Sequence, residues 1–109
     1  MENKSTFTEV FGDSPMIRVL DYLLTEREMD FSITDLAENA GIGRATLYRM
    51  WDKLIENKFI LHTRNIGKAK LYKLNKENLF VKKLIEIDDM LILKELKNKS
   101  KSVMKIKAR

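Results

Sequence analysis

Apolar residues recur at Met16, Ile17, Leu20, Leu23 and Leu24, the three- and four-residue spacing that lines one face of a helix. Ser14 before Pro15 supplies a cap and a first helical residue, so the pattern predicts a helix over residues 14 to 25. A short extended link, Met29-Asp30-Phe31, follows. Ser32 with Asp35 three positions later makes a capping-box-like start for a second helix, with Asp where Glu is more usual. A third helix, residues 44 to 57, sets Leu47, Met50, Trp51 and Leu54 on one face, with Trp51 read as core. The period then changes. Residues 59 to 64 and 69 to 74 are rich in strand formers and predict a hairpin, with Asn65 and Gly67 in the turn. Tyr72 and Leu74 alternate toward one side and Leu71 toward the other. Asn78 caps a last helix from Leu79 to about Lys97. Its apolar residues fall into two stripes, Phe80, Leu84, Ile87 and Leu91 on one and Val81, Ile85, Ile92 and Leu96 on the other.

Between Ile33 and Met50 the spacing is that of two short helices crossing at a tight turn. Leu36 and Ala40 face the crossing, Ala37 permits close approach, Gly41 makes the turn, and Ile42, Leu47 and Met50 close the contact. A hairpin directly after the second of these helices is a wing. The fold class expected is therefore mainly α with a β-hairpin wing, a winged helix-turn-helix, followed by a helix used for dimerisation.

Composition narrows the alternatives. A chain of 109 residues suits one domain with a modest core. No cysteine is present, which excludes disulfides and thiolate metal sites. The first nine residues carry acids and no apolar segment, so no signal peptide is expected, and the apolar run Met90 to Leu93 is far too short to span a bilayer. A cytoplasmic protein without a membrane partner is the simplest expectation.

The net charge of +5 is strongly segregated. Residues 1 to 43 hold three basic and nine acidic groups, residues 44 to 76 nine basic and two acidic, and residues 77 to 96 three basic and five acidic. Residues 97 to 109 add six basic groups and no acid. The basic block thus coincides with the third helix and the wing, the electrostatic footprint of a phosphate-backbone binder, against the plainer reading of a solvated charged face. Ala45, Arg49 and Asp52 lie on the face of the third helix opposite its apolar stripe, flanked by Thr46, Tyr48 and Lys53, with Arg44 near its amino end. Arginine can bridge two guanine acceptors, alanine and threonine can meet a thymine methyl, and tyrosine and lysine can bond phosphate oxygens. Asp52 opposes phosphate and is expected to orient Arg49, Lys53 or Tyr48. In the wing, Arg64, Lys68 and Lys70 cluster near the hairpin tip, where they can track phosphates or enter the minor groove.

Catalytic chemistry finds no support. His62 is the sole histidine, so a histidine metal cluster cannot form within one chain, and its plainer reading is a strand residue of the wing. Gly41-Ile42-Gly43 lacks the rest of a dinucleotide fingerprint. Asp88 and Asp89 are adjacent on a helix and diverge by about 100°. No enzyme and no cofactor are expected, and no motif identifies a small-molecule effector.

The segments Ser14 to Leu20, Ile33 to Met50 and Gly67 to Asn75 resemble archaeal winged helix-turn-helix transcriptional regulators of the broad MarR/ArsR type, over residues 11 to 75. The resemblance implies a third helix that reads the major groove, here Arg44 to Lys53, a wing at Arg64 to Lys70, and a two-fold dimer. Gly43 stands where many relatives have a serine or threonine cap, and the cysteines of ArsR-type metal sites are missing. The organisation expected is an N-terminal extension (1–13), the winged domain (14–75), a dimerisation helix (76–97) using Phe80, Val81, Leu84, Ile85, Ile87, Leu91 and Ile92, and a flexible basic tail (98–109). The function expected is sequence-specific binding of double-stranded DNA by a homodimer. The alternatives are a winged-helix protein-interaction module that reads no bases and, less favoured for want of stacked aromatics, an RNA binder.

Overall fold

The starts of the helices over residues 15–25 and 33–40, and the turn after the second of them, are set by local signals that packing then reinforces. The structure, a computed structural model, describes residues 5–107, with side chains over residues 5–100. In chain order the elements are α1 (Thr6–Phe11), α2 (Pro15–Thr25), α3 (Ile33–Ala40), α4 (Arg44–Glu56), β1 (Ile60–Ile66), β2 (Ala69–Leu74) and α5 (Leu79–Lys107). This is a winged helix-turn-helix, mainly helical, with a β-hairpin wing and a long C-terminal helix.

Ser14 accepts from the Ile17 amide with Pro15 at the first helical position, and Ser32 and Asp35 form a reciprocal capping box at α3. At the end of α3 the Ile42 amide reaches the Ala37 carbonyl (3.0 Å) and Gly41 reaches Glu38 (3.2 Å), with Gly41 at φ +70°. That is a Schellman turn, and the left-handed residue it requires is the one the sequence supplies as glycine. α4 ends in the same way, Phe59 to Leu54 and Lys58 to Ile55, both 3.0 Å. Here the left-handed residue is Lys58, at φ +58°.

Inside, Val19, Leu20, Leu23 and Leu24 of α2 meet Leu36, Ala37 and Ala40 of α3 and Leu47 and Leu54 of α4, with Phe31, Ile60, Leu74 and Val81 closing the cluster. Phe7 of α1 is buried in the same core, so the N-terminal extension contributes a helix. Residues 1–4 of that extension lie outside the described residues. In the wing, β1 and β2 pair antiparallel around a two-residue turn, Gly67-Lys68, in which Gly67 alone has positive φ (+60°), as in a type II′ turn. The register slips between His62 and Arg64, a bulge at Thr63. Phe31 adds a third strand position by exchanging two 2.8 Å backbone bonds with Tyr72. The extended link before α3 is thereby the third rung of the wing.

The last helix departs from expectation in two ways. Asn78 does cap it, accepting from the Val81 amide at 3.1 Å, but the helix continues through Lys107 instead of stopping near Lys97. Residues 98–107 contain neither glycine nor proline and are rich in lysine, a good helix former, so nothing in them ends the helix. The flexible tail is corrected to a helical extension; residues 108–109 lie outside the described residues. The face packed on the core takes members of both expected stripes: Val81, Leu84, Ile85, Asp88 and Leu91. Val81, 1% exposed, is a core residue and not a dimer contact. Phe80, Ile87, Met90, Ile92, Leu93 and Leu96 remain exposed. Among the described residues no helix is long and apolar enough to cross a membrane.

Candidate nucleic-acid interface

The interface is built on α4, whose inner residues Leu47 and Leu54 are fully buried and whose outer residues are thereby fixed in direction. Arg44, Ala45, Tyr48, Arg49 and Lys53 are exposed and Thr46 is half-buried, so the structure places all six sequence-predicted residues of this helix at its surface. Gly43 caps the helix without a side-chain hydrogen bond, leaving backbone amides in the first turn directed outward. Arg49 donates to Thr46 Oγ1 (3.3 Å) across one helical turn. The expectation that Asp52 orients Arg49, Lys53 or Tyr48 is not met; it bonds none of them, because Arg49 turns toward the amino end of the helix and leaves the carboxylate alone.

The wing stands beside α4 and is held there by side chains. Trp51 packs edge-on against Tyr72 (centroids 4.9 Å apart), and Tyr72 in turn packs against His62 at 5.6 Å. His62 hydrogen-bonds Asn65 at 2.7 Å. Lys68 lies in the two-residue turn and Lys70 opposite Asn65, so both belong to the exposed tip. Arg64 does not join them. Its Nε and Nη2 donate to Asp30 at 2.8 and 3.4 Å, and Thr63 Oγ1 donates to the same carboxylate at 3.2 Å. The bulge at Thr63 brings both residues toward the α2–α3 link. The Arg64 hydrogen bond, aided by Thr63 and opposed by partial desolvation, holds the Asp30 carboxyl below its ordinary range and raises the Arg64 guanidinium.

A division among the cations results. Arg18, Arg27 and Arg64 are all engaged with carboxylates, whereas Arg44, Lys53, Lys68 and Lys70 make no ion pair among the described residues. These four sit on the outer face of α4 and at the wing tip, while Lys58 in the turn after α4 and Lys82, Lys94 and Lys97 on α5 also make no ion pair among the described residues.

Several positioning contacts carry no sequence signal. Arg18 staples the helix-turn-helix turn, donating to the carbonyls of Gly41 (2.9 Å) and Asp13 (3.1 Å). Asn75 and Asn78 both donate to the Lys58 carbonyl, at 2.9 and 3.1 Å, and so tie the end of α4 to the start of α5. Arg27 joins the end of α2 to α5 through Asp88 and Asp89. An arginine that fits a helix surface in sequence gives no hint of a partner 23 or 61 residues away.

Comparison with known proteins adds a matched domain and a shared fold. Residues 16–63 match the family model of the IclR helix-turn-helix domain. No characterised protein sequence matches the chain significantly. Among solved structures, the chain is similar to MepR, a transcription regulator of the Staphylococcus aureus multidrug efflux pump MepA (14% identity, 94% of this chain and 82% of that one, TM-score 0.59). It is equally similar to Lactococcus lactis ZitR (18%, 92% and 83%, TM-score 0.59). Sso10a-2, a DNA-binding protein from Sulfolobus solfataricus, aligns over 82% of this chain and 92% of its own at 18% identity, TM-score 0.50. At these identities the structures speak for the fold, while the matched helix-turn-helix domain is of IclR type, within the regulator class that the MarR/ArsR likeness indicated. Residues 16–63 therefore match a helix-turn-helix domain of the IclR type, and the solved structures show the winged helix-turn-helix fold in which that domain is set.

Proposed function

We propose that the protein binds double-stranded DNA sequence-specifically as a homodimer, with α4 in the major groove and the wing on the backbone or in the adjacent minor groove. The observation that carries this reading is that the outer face of α4 and the tip of the wing, the two exposed parts of a winged helix-turn-helix, both present exposed cations without an ion pair, Arg44, Lys53, Lys68 and Lys70. Arg44, Lys53, Lys68 and Lys70 are the phosphate contacts, and Arg49, Ala45, Thr46 and Tyr48 the residues presented to base edges and sugar–phosphate. Arg64, held by Asp30, acts by fixing the tilt of the wing. That a protein of similar fold, Lactococcus lactis ZitR, forms a complex with DNA (22% identical over 75% of this chain and 60% of that one, TM-score 0.50) supports DNA as the partner.

The dimer is assigned to the exposed apolar positions that share one side of α5, Phe80, Ile87 and Met90. Leu84, Ile85 and Leu91 supply its support from the core side. Two reading helices related by a two-fold axis meet half-sites one DNA turn apart, about 34–36 Å, and require a near-palindromic site. Selection from a random duplex pool, with light scattering of the free protein, tests both parts. Enrichment of a two-part site bound by a dimer is expected, whereas no enrichment by a well-folded protein favours an interaction module that reads no bases. On the selected site Arg49→Ala is expected to cost about 1–3 kcal/mol and relax one base, while Lys68→Ala weakens all sequences alike and lowers the salt slope by about one. Equal, sequence-independent losses for both variants remove Arg49 from base reading.

A further inference from the structure

The region that carries nine basic residues, 44 to 76, has only two acids, Asp52 and Glu56, and both line one groove. The groove lies between the second half of α4 and the wing, has a volume of about 450 Å³, and is walled by Trp51, Ile55, His62 and Tyr72. No lysine or arginine lines it. Phosphate binding does not explain these carboxylates, which repel a nucleic-acid backbone, and neither has an ion-pair or hydrogen-bond partner among the described residues. Internal structure does not explain them either, since both are exposed. Their four-residue spacing puts them on one side of α4, and they line the same groove as an aromatic wall in which Trp51 and Tyr72 meet at 86°.

We propose that this groove is a binding site for a small organic cation with a flat apolar body, of the aromatic ammonium class. The apolar part lies against Trp51, Tyr72 and Ile55, and the positive end is shared between the ring faces and the two carboxylates. The groove is open on one side, and aromatic rings beside carboxylates favour a quaternary or alkylated ammonium over a neutral or anionic compound of equal size. An anion is doubly disfavoured, by the rings and by the acids.

Trp51 is the only tryptophan in the chain, so its emission reports the groove directly. The probes are benzyltrimethylammonium and, as an anion of similar size, phenylacetate, titrated into the full chain without DNA, so that the result is independent of base reading. Saturable change in Trp51 emission, matched by calorimetry, is expected for the cation, with at least about tenfold weaker binding of phenylacetate. Asp52→Asn with Glu56→Gln should weaken the cation at least about tenfold, and the charge-preserving pair Asp52→Glu with Glu56→Asp should retain most of the affinity. Circular dichroism checks that each variant is folded. Equal binding of cation and anion, undiminished cation binding by the neutralised variant, or a linear, unsaturated response overturns the assignment.

Discussion

Removing the guanidinium of Arg27 while keeping its apolar length, as in Arg27→Met, tests whether α5 is fastened to the domain by a nearly buried charge. Arg27 donates through Nε to the Leu24 carbonyl (2.9 Å) and through Nη2 to Asp88 (3.1 Å) and Asp89 (3.2 Å). Asp88 is 6% exposed. Burial pushes its carboxyl above the ordinary value, Arg27 pulls it down, and the nearby Asp21 and Asp89 push it up again. Without Arg27 the carboxylate is left uncompensated, a change that costs about 3–5 kcal/mol at a fully buried site. With Arg27 partly exposed, about 2–3 kcal/mol is expected at pH 7. Protonation caps the charge penalty at about 1.36 kcal/mol per pH unit above the unfolded value near 3.9, about 4 kcal/mol at pH 7 and about 1.5 at pH 5. The sign follows from proton counting. An acid whose folded value is raised binds more protons when folded, so its contribution worsens as pH rises through the window between the unfolded and folded values. The loss in Arg27→Met must therefore shrink on acidification, and Arg27→Met/Asp88→Asn must recover part of it at pH 7. Urea midpoints at fixed protein concentration, followed by far-ultraviolet circular dichroism at pH 7 and pH 5, measure all of this. Equal losses at the two pH values, or no recovery in the double variant, would refute an uncompensated charge as the cause.

Lys58→Gly should stabilise the protein by about 0.5–1 kcal/mol in the same assay, because glycine removes the side-chain penalty at φ +58°; a loss would mean that the lysine stem supplies packing that outweighs it. Asp30→Asn should weaken DNA binding without changing the preferred sequence, since Asp30 fixes the wing and faces Arg64, and an altered base preference would assign it to direct reading. The lowered Asp30 value adds stability above the unfolded carboxylate range that is lost as pH falls through the folded value, the opposite sign to Asp88. Deleting residues 98–109 removes five basic residues and should reduce the slope of log K against log salt, by about 0.9 for each phosphate no longer neutralised, while leaving the selected site intact. An unchanged slope would show those charges to be merely solvated.

The elements legible in the sequence are those with both a cap and a periodic face. Ser14-Pro15, Ser32 with Asp35, and Gly41 mark α2 and α3 to within a residue, and Leu47 with Leu54 fixes which side of α4 is free. Helix α1 has six residues and Phe7 as its buried aromatic anchor, too short for a period to show. On α5 the inner face is centred on Asp88, a charged residue that an apolar stripe cannot include. The apolar pattern consequently divides Val81, Leu84, Ile85 and Leu91 between two stripes, although in the fold they surround one ion pair. The turn at Lys58 is not legible, because its left-handed conformation is imposed by tertiary bonds from Asn75 and Asn78 and not by a glycine. The outer face of α4 is legible because it is the complement of a core face, whereas the placement of Arg64 depends on a bulge that no residue pattern encodes.

The same contrast separates two uses of positive charge in this fold. An arginine bound to a carboxylate has already exchanged its counterions for a fixed partner, so it contributes geometry and little long-range attraction. Arg18 on the helix-turn-helix turn, Arg27 under α5 and Arg64 on the first strand of the wing are of this kind, and each joins elements far apart in sequence. An exposed cation with no partner keeps its ion atmosphere and releases it only when a phosphate arrives, which is the source of salt-dependent affinity. Arg44, Lys53, Lys68 and Lys70 are of that second kind. Geometry and affinity therefore reside in different residues. A change at Arg18, Arg27 or Arg64 should move stability or the relative placement of α4 and the wing while leaving the salt slope nearly intact, and a change at the unpaired cations should do the reverse.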